Sequence, residues 1–110
     1  MTMPSRASKG NALIAQSEGD AGLAAEVFDQ FMTDARRHLN LIIGALQNYD
    51  FGFATQEARS LESRALNLRA GSVVQAVREL TQAAGQKQQE RALELAEDVR
   101  RALGELGALV

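Results

Sequence analysis

From Leu23 onward, apolar side chains recur at three- and four-residue intervals: Leu23, Val27, Phe28, Phe31, Ala35, Leu39, Ile42 and Leu46. That spacing matches the roughly 3.6-residue turn of an α-helix and predicts a first long helix from about Ala21 to Gln47 with one buried stripe. Its C-terminal half is broader, because Leu41, Ile43 and Ala45 add apolar groups on other sides. A helix end of that kind packs against more than one neighbour, and Gly44 is a place for it to bend. Asn48-Tyr49-Asp50 interrupts the pattern, with Asp50 placed to cap the helix that follows.

A second helix is expected from about Phe51 to Leu68, burying Phe51, Ala54, Ala58, Leu61, Ala65 and Leu68. Arg69-Ala70-Gly71 ends it, Gly71 being the residue suited to positive φ. Ser72 and Gln75 form a capping-box pattern that opens a third helix carrying Val73, Val74, Ala76, Val77 and Leu80 up to Gly85. A fourth, from about Gln86 to Leu106, turns Ala92, Leu95, Ala96, Val99, Leu103 and Leu106 inward, with Glu97 and Arg101 spaced as an i,i+4 pair outside. No segment alternates at the period of a strand for long. The expected fold is therefore all-α, an up-and-down antiparallel four-helix bundle, since short links favour antiparallel neighbours.

Ahead of it, residues 1–10 read as a flexible polar leader, and Asn11 to Ser17 as a short helical turn with Leu13 and Ile14. Gly19-Asp20 punctuates before the first long helix, so one domain spans 11–110. A hydrophobic content of 45% and a charged content of 24% are those of an ordinary globular domain. The absence of cysteine excludes disulfides, thiolate ligands and thiol nucleophiles, and fits a reducing cytoplasm. No apolar run reaches membrane-spanning length, and the start of the chain lacks a secretion signal, so a cytoplasmic protein with no membrane contact is expected.

A net charge of -2 gives no general attraction for nucleic acid, and the ten arginines are interleaved with acids, so no nucleic-acid partner is expected. There is no Gly-rich phosphate loop, no Ser-His-Asp set and no grouping at metal-ligand spacing; neither catalysis nor a cofactor nor a metal is expected. His38, the single histidine, is read as a boundary side chain with its polar edge in water, and only secondarily as a phosphate acceptor.

The order of elements carries a resemblance. Glu18-Gly19-Asp20 precedes a long helix with Val27-Phe28-Asp29-Gln30-Phe31 near its start, and an Asp-capped second helix reads Ala58-Arg59-Ser60-Leu61-Glu62-Ser63-Arg64-Ala65-Leu66-Asn67-Leu68-Arg69-Ala70. Leu13 to Leu106 thereby resembles a histidine-phosphotransfer (HPt) domain, whose second helix carries Ala-His-Ser-Leu-Lys-Gly/Ser-x-Ala-x-Asn-Leu-Gly-Ala. The inward positions Ala58, Leu61, Ala65 and Leu68 agree with that signature. The chemical ones differ: Arg59 stands at the phosphoacceptor histidine, Glu62 at the lysine three residues on, and Arg69 at the glycine of the helix end.

Phosphotransfer requires a neutral imidazole nitrogen to attack an aspartyl phosphate, whereas a guanidinium stays protonated and only donates. Glu62 would repel the phosphate that a lysine attracts. The resemblance thus implies an adaptor that binds the family's partners, a response-regulator receiver domain or a sensor kinase, without accepting phosphate. Arg59, Glu62, Ser63 and Leu66 fall on the face of the second helix opposite its core stripe and form the implied partner-binding surface. The plainer reading is a solvated face on which Arg59 and Glu62 pair weakly. From another class comes an oligomerisation or regulatory module, in which the apolar stretch Leu39 to Leu46 packs between two copies as a homodimer or onto an unrelated protein.

Overall fold

The computed structural model describes residues 21–108, and over that span the chain is four α-helices with no strand. They are α1 (Ala21–Gln47), α2 (Phe51–Asn67), α3 (Gly71–Gly85) and α4 (Gln89–Ala108). The expected leader at 1–10, the helical turn at 11–17, the cap at Asp20 and the side chain of Leu23 lie outside the described residues.

Each helix packs on the next, and α1 also packs on α4. The largest fully buried side chains come from all four: Leu39, Ile42 and Leu46 of α1, Leu61 of α2, Val73, Val77 and Leu80 of α3, Val99 and Leu103 of α4. Burying each contributes about 1.5–3 kcal/mol. Ala35, Ala54, Ala58, Ala65, Ala84, Ala92 and Ala96 are buried between them, and their small side chains let the helix axes approach closely. The broad apolar half of α1 is mostly consumed here: Leu39, Ile42, Ala45 and Leu46 are buried and Ile43 is half-buried, leaving Leu41 exposed. Helix α1 runs unbroken through Gly44.

The three links are built alike. Residue 49, 69 or 87 takes a left-handed conformation, with φ of 61° at Tyr49, 57° at Arg69 and 61° at Lys87. In each link the next residue donates its N–H back into the preceding helix: Asp50 to Ala45 O at 2.8 Å, Ala70 to Ala65 O at 3.0 Å, Gln88 to Ala83 O at 3.0 Å. The left-handed residues donate to Leu46 O, Leu66 O and Ala84 O, which completes a Schellman ending three times over. The carbonyls of Asp50, Ala70 and Gln88 then accept the first bond of the following helix, from Ala54, Val74 and Ala92. One three-residue device thus ends a helix and starts the next.

The structure corrects four expectations. The positive φ falls on Arg69, and Gly71 is the first residue of α3. The Ser72–Gln75 capping box does not form: Ala70 occupies the cap without a side-chain bond, and Gln75 donates to Glu79 Oε2 at 3.1 Å. Helix α4 begins at Gln89 because residues 86–88 are spent on the link. On its outer face Glu97 bonds Arg100 and Asp98 bonds Arg101, so the Glu97–Arg101 pair is absent among the described residues. Asp50 behaves as expected, its Oδ1 accepting from Phe53 N–H at 3.1 Å. No helix of the described residues is long and apolar enough to cross a membrane.

Candidate functional site

Helix α2 positions the candidate surface because its core stripe, Ala54, Ala58, Leu61 and Ala65, is wholly buried. At about 100° per residue the opposite side is then fixed to face outward. Arg59, Ser63 and Leu66 are exposed there, Leu66 with 47% of its surface accessible. Glu62 is half-buried at the edge, and its Oε2 accepts from Arg78 Nε of α3 at 2.7 Å. Arg59 and Glu62 are therefore not a pair. The carboxylate ties α2 to α3, and no carboxylate of the described residues pairs with Arg59. Three of the four expected residues form one accessible surface, and the fourth belongs to an interhelical bond at its margin.

The same helix binds α1 on its other edge. His38 is buried, contrary to the expectation of a boundary histidine with its polar edge in water. Its Nδ1 lies 2.7 Å from Glu57 Oε1, with side-chain exposures of 9% and 18%. The two side chains lie at hydrogen-bonding distance and join α1 to α2. Nε2 is buried and has no hydrogen-bond partner among the described residues. A ring nitrogen enclosed in this way cannot reach a phosphoryl donor without an opening of the α1–α2 seam. The pair is legible only across helices, 19 positions apart, which is why periodicity along α1 alone missed it.

Nearer the other end of the seam, Asp34 of α1 gathers three donors. Gln30 Nε2 reaches Oδ1 at 3.1 Å, Arg37 Nη2 reaches Oδ1 at 3.2 Å, and Arg64 Nη1 of α2 reaches Oδ2 at 3.2 Å. The hydrogen bond from Arg37 holds the Asp34 carboxyl below its ordinary range; partial desolvation opposes this, and Gln30 and the Arg64 charge reinforce it. Beside this cluster lies a groove of about 270 Å3 walled by Val27, Phe31 and Leu68 with Asn67 at its rim. Neither Asp34 nor Arg64 was singled out from the sequence, because their role depends on the packing of two helices.

Among the described residues no three His, Asp or Glu side chains gather as a metal ion requires. Ser60 and Ser63 are exposed on α2, and the one imidazole of the chain is engaged with Glu57. What the α2 surface offers chemically is a guanidinium with free donors beside a hydroxyl and an exposed leucine. Such a set recognises a carboxylate or phosphate with an apolar neighbour.

Comparison with protein-family models, with curated proteins and with solved structures finds no match to this chain.

Proposed function

We propose that this chain is a non-catalytic signalling adaptor with the architecture of an HPt domain. It docks on a response-regulator receiver domain or a sensor kinase and modulates two-component signalling in the cytoplasm without taking phosphate. The single observation that carries the reading is Arg59: exposed on the outward face of α2, without a carboxylate partner among the described residues, where the resembling family places its nucleophile.

Two further observations support it. Arg69, at the position the family fills with glycine, has the left-handed φ of 57° that favours glycine. The arrangement also suits an up-and-down antiparallel four-helix bundle. His38 meets Glu57 while the earlier Asp34 meets the later Arg64, so α1 and α2 run in opposite directions along their seam. The two remaining links are of the same three-residue kind.

In this reading the Arg59 guanidinium forms a two-pronged bond with the acidic phosphorylation pocket of a receiver, and Leu66 fills an apolar depression about two turns away. A binder that cannot accept phosphate competes with true phosphotransfer proteins and acts as a brake. The test is titration of the protein with receiver domains and sensor kinases, beside Arg59→Glu and Leu66→Glu. Each substitution is expected to weaken binding at least about tenfold, a loss of ~1.4 kcal/mol. Equal affinity of both variants and the parent removes α2 from the interface, and acid-labile phosphate on the parent ends the non-catalytic reading.

A further inference from the structure

Helix α1 outruns the helix it packs against. Asp34 meets Arg64 and His38 meets Glu57 across the seam, and Val27 stands two turns before Asp34 on the same side of α1. Helix α2 stops at Asn67, within a turn of Arg64, while α1 begins as far out as Ala21. Val27 therefore faces the seam with no helix of the described residues opposite it. It stays 43% exposed, although the apolar repeat counts it among the inward positions. Beside it lies the groove of about 270 Å3 between Val27, Phe31 and Leu68, bordered on its polar side by the Asp34–Arg64 bond. That volume is under the roughly 300–1,000 Å3 of small-molecule sites and suits a pair of aliphatic side chains.

We infer that this groove seats the chain's own N-terminal segment, with Leu13 and Ile14 as the side chains that fill it. The segment is tethered at the groove, because residues 1–20 lead straight into α1 at Ala21. From Ala21 to Val27 the helix rises about 9 Å. The chain from Ala21 back to Ile14 reaches about 23 Å when extended, and Gly19 lies between them as the residue freest to reverse direction. Tethering of this kind presents a segment at an effective concentration on the order of millimolar, which an untethered partner must exceed.

Chemistry matches reach. Ala12-Leu13-Ile14-Ala15 is the one run of four apolar residues in an otherwise polar segment, and the hydrophobic effect favours removing it from water against Val27, Phe31 and Leu68. The charges are complementary as well. Through Ser17 the segment carries Arg6 and Lys9 and no acid, whereas α1 from Ala21 to Ala35 carries Glu26, Asp29 and Asp34 and no base. Glu26 and Asp29 are exposed, so their field draws the segment back along α1. The contact uses neither Arg59 nor Leu66 and stands whether or not the chain is an adaptor.

The test uses the full chain, whose lack of cysteine lets Asn11→Cys carry a single nitroxide. Amide NMR spectra are expected to lose the signals of Val27, Phe31 and Leu68 to paramagnetic broadening. Those of Tyr49 and Lys87, in the links at the far end of the helices, stay intact. Leu13→Asp with Ile14→Asp is expected to restore the Phe31 and Leu68 signals, and so is Val27→Asp from the other side of the contact. Circular dichroism verifies that the helices persist in each. Intact signals at Phe31 and Leu68 in the parent overturn the inference, including the case in which a separate partner fills the groove. So does broadening that survives both sets of aspartate substitutions. Broadening of an isotope-labelled chain without nitroxide, mixed with unlabelled chain that carries it, assigns the groove to a second copy and overturns it too.

Discussion

Along α4, Arg91, Glu94, Glu97, Asp98, Arg100 and Arg101 close into three ion pairs one turn apart on the same helix, beside the exposed Glu90 and Glu105. Along α2 the exposed side chains are Phe53, Gln56, Arg59, Ser60, Ser63, Arg64, Leu66 and Asn67, neutral except for two arginines, of which Arg64 reaches Asp34 of α1. The contrast extends to the neighbours. The exposed large hydrophobic side chains of the described residues, Val27, Leu41, Tyr49, Phe53 and Leu66, belong to α1, α2 and the link between them, and none to α3 or α4. The α4 face closes three ion pairs within one helix and offers water a charged coat, whereas the α1–α2 side exposes the Arg59 guanidinium and several apolar groups. Both sides share one core, so stability does not demand the difference. Surface that a fold leaves uncompensated on one side only is surface available for binding.

The sharpest break of this comparison is expected at the buried pair of the α1–α2 seam. Glu57→Ala removes the acceptor of a buried imidazole and lowers the free energy of unfolding by about 1–3 kcal/mol. Glu97→Ala on α4 releases only the exposed Arg100 and changes it by no more than about 0.5 kcal/mol. Urea denaturation of the two variants decides the point, and equal losses would make His38–Glu57 no more than a surface pair.

A smaller effect is expected at the links and at a helical glycine. Arg69→Gly and Lys87→Gly relieve left-handed residues and gain about 1 kcal/mol each. Tyr49→Gly gains a similar amount. Gly104→Ala, where an added methyl meets nothing within 4 Å, gains about 0.4–1 kcal/mol. Thermal unfolding reads all four; a loss of stability at Arg69→Gly or Lys87→Gly would show that those side chains support more than a turn.

The smallest effect concerns Asp34. Its carboxyl titrates below its ordinary range in the folded protein, through the Arg37 bond first. Its contribution is therefore complete above the ordinary aspartate value of about 3.9 and is lost as pH falls through the lowered native value. The stability difference between the parent and Asp34→Asn is expected to be constant near neutrality and to shrink below about pH 4. A difference that grows in acid would reverse the assignment.

Much of the architecture was legible in the order of residues. Periodic Leu, Ile, Phe and Ala marked α1 and α2 almost to their ends, since a helix that buries one face must repeat apolar groups at its own pitch. The exposure of Arg59, Ser63 and Leu66 followed from the same geometry once Ala58, Leu61 and Ala65 pointed inward. The starts of α3 and α4 were misplaced because glycine is the usual sign of a left-handed turn, and here Gly71 and Gly85 are helical while Arg69 and Lys87 make the turns. Val27 was expected within the stripe and is exposed.

Local repetition in the chain was thus sufficient for the number of helices, their approximate limits, and which side of each turns inward, because those properties depend on neighbours three and four residues away. The burial of His38 against Glu57, the capture of Glu62 by Arg78 and the sharing of Asp34 by Arg37 and Arg64 were decided only when the helices packed. Polar side chains find partners across helix seams at separations of 16 to 30 residues in these bonds, and no pattern along one helix encodes which pair of surfaces will meet.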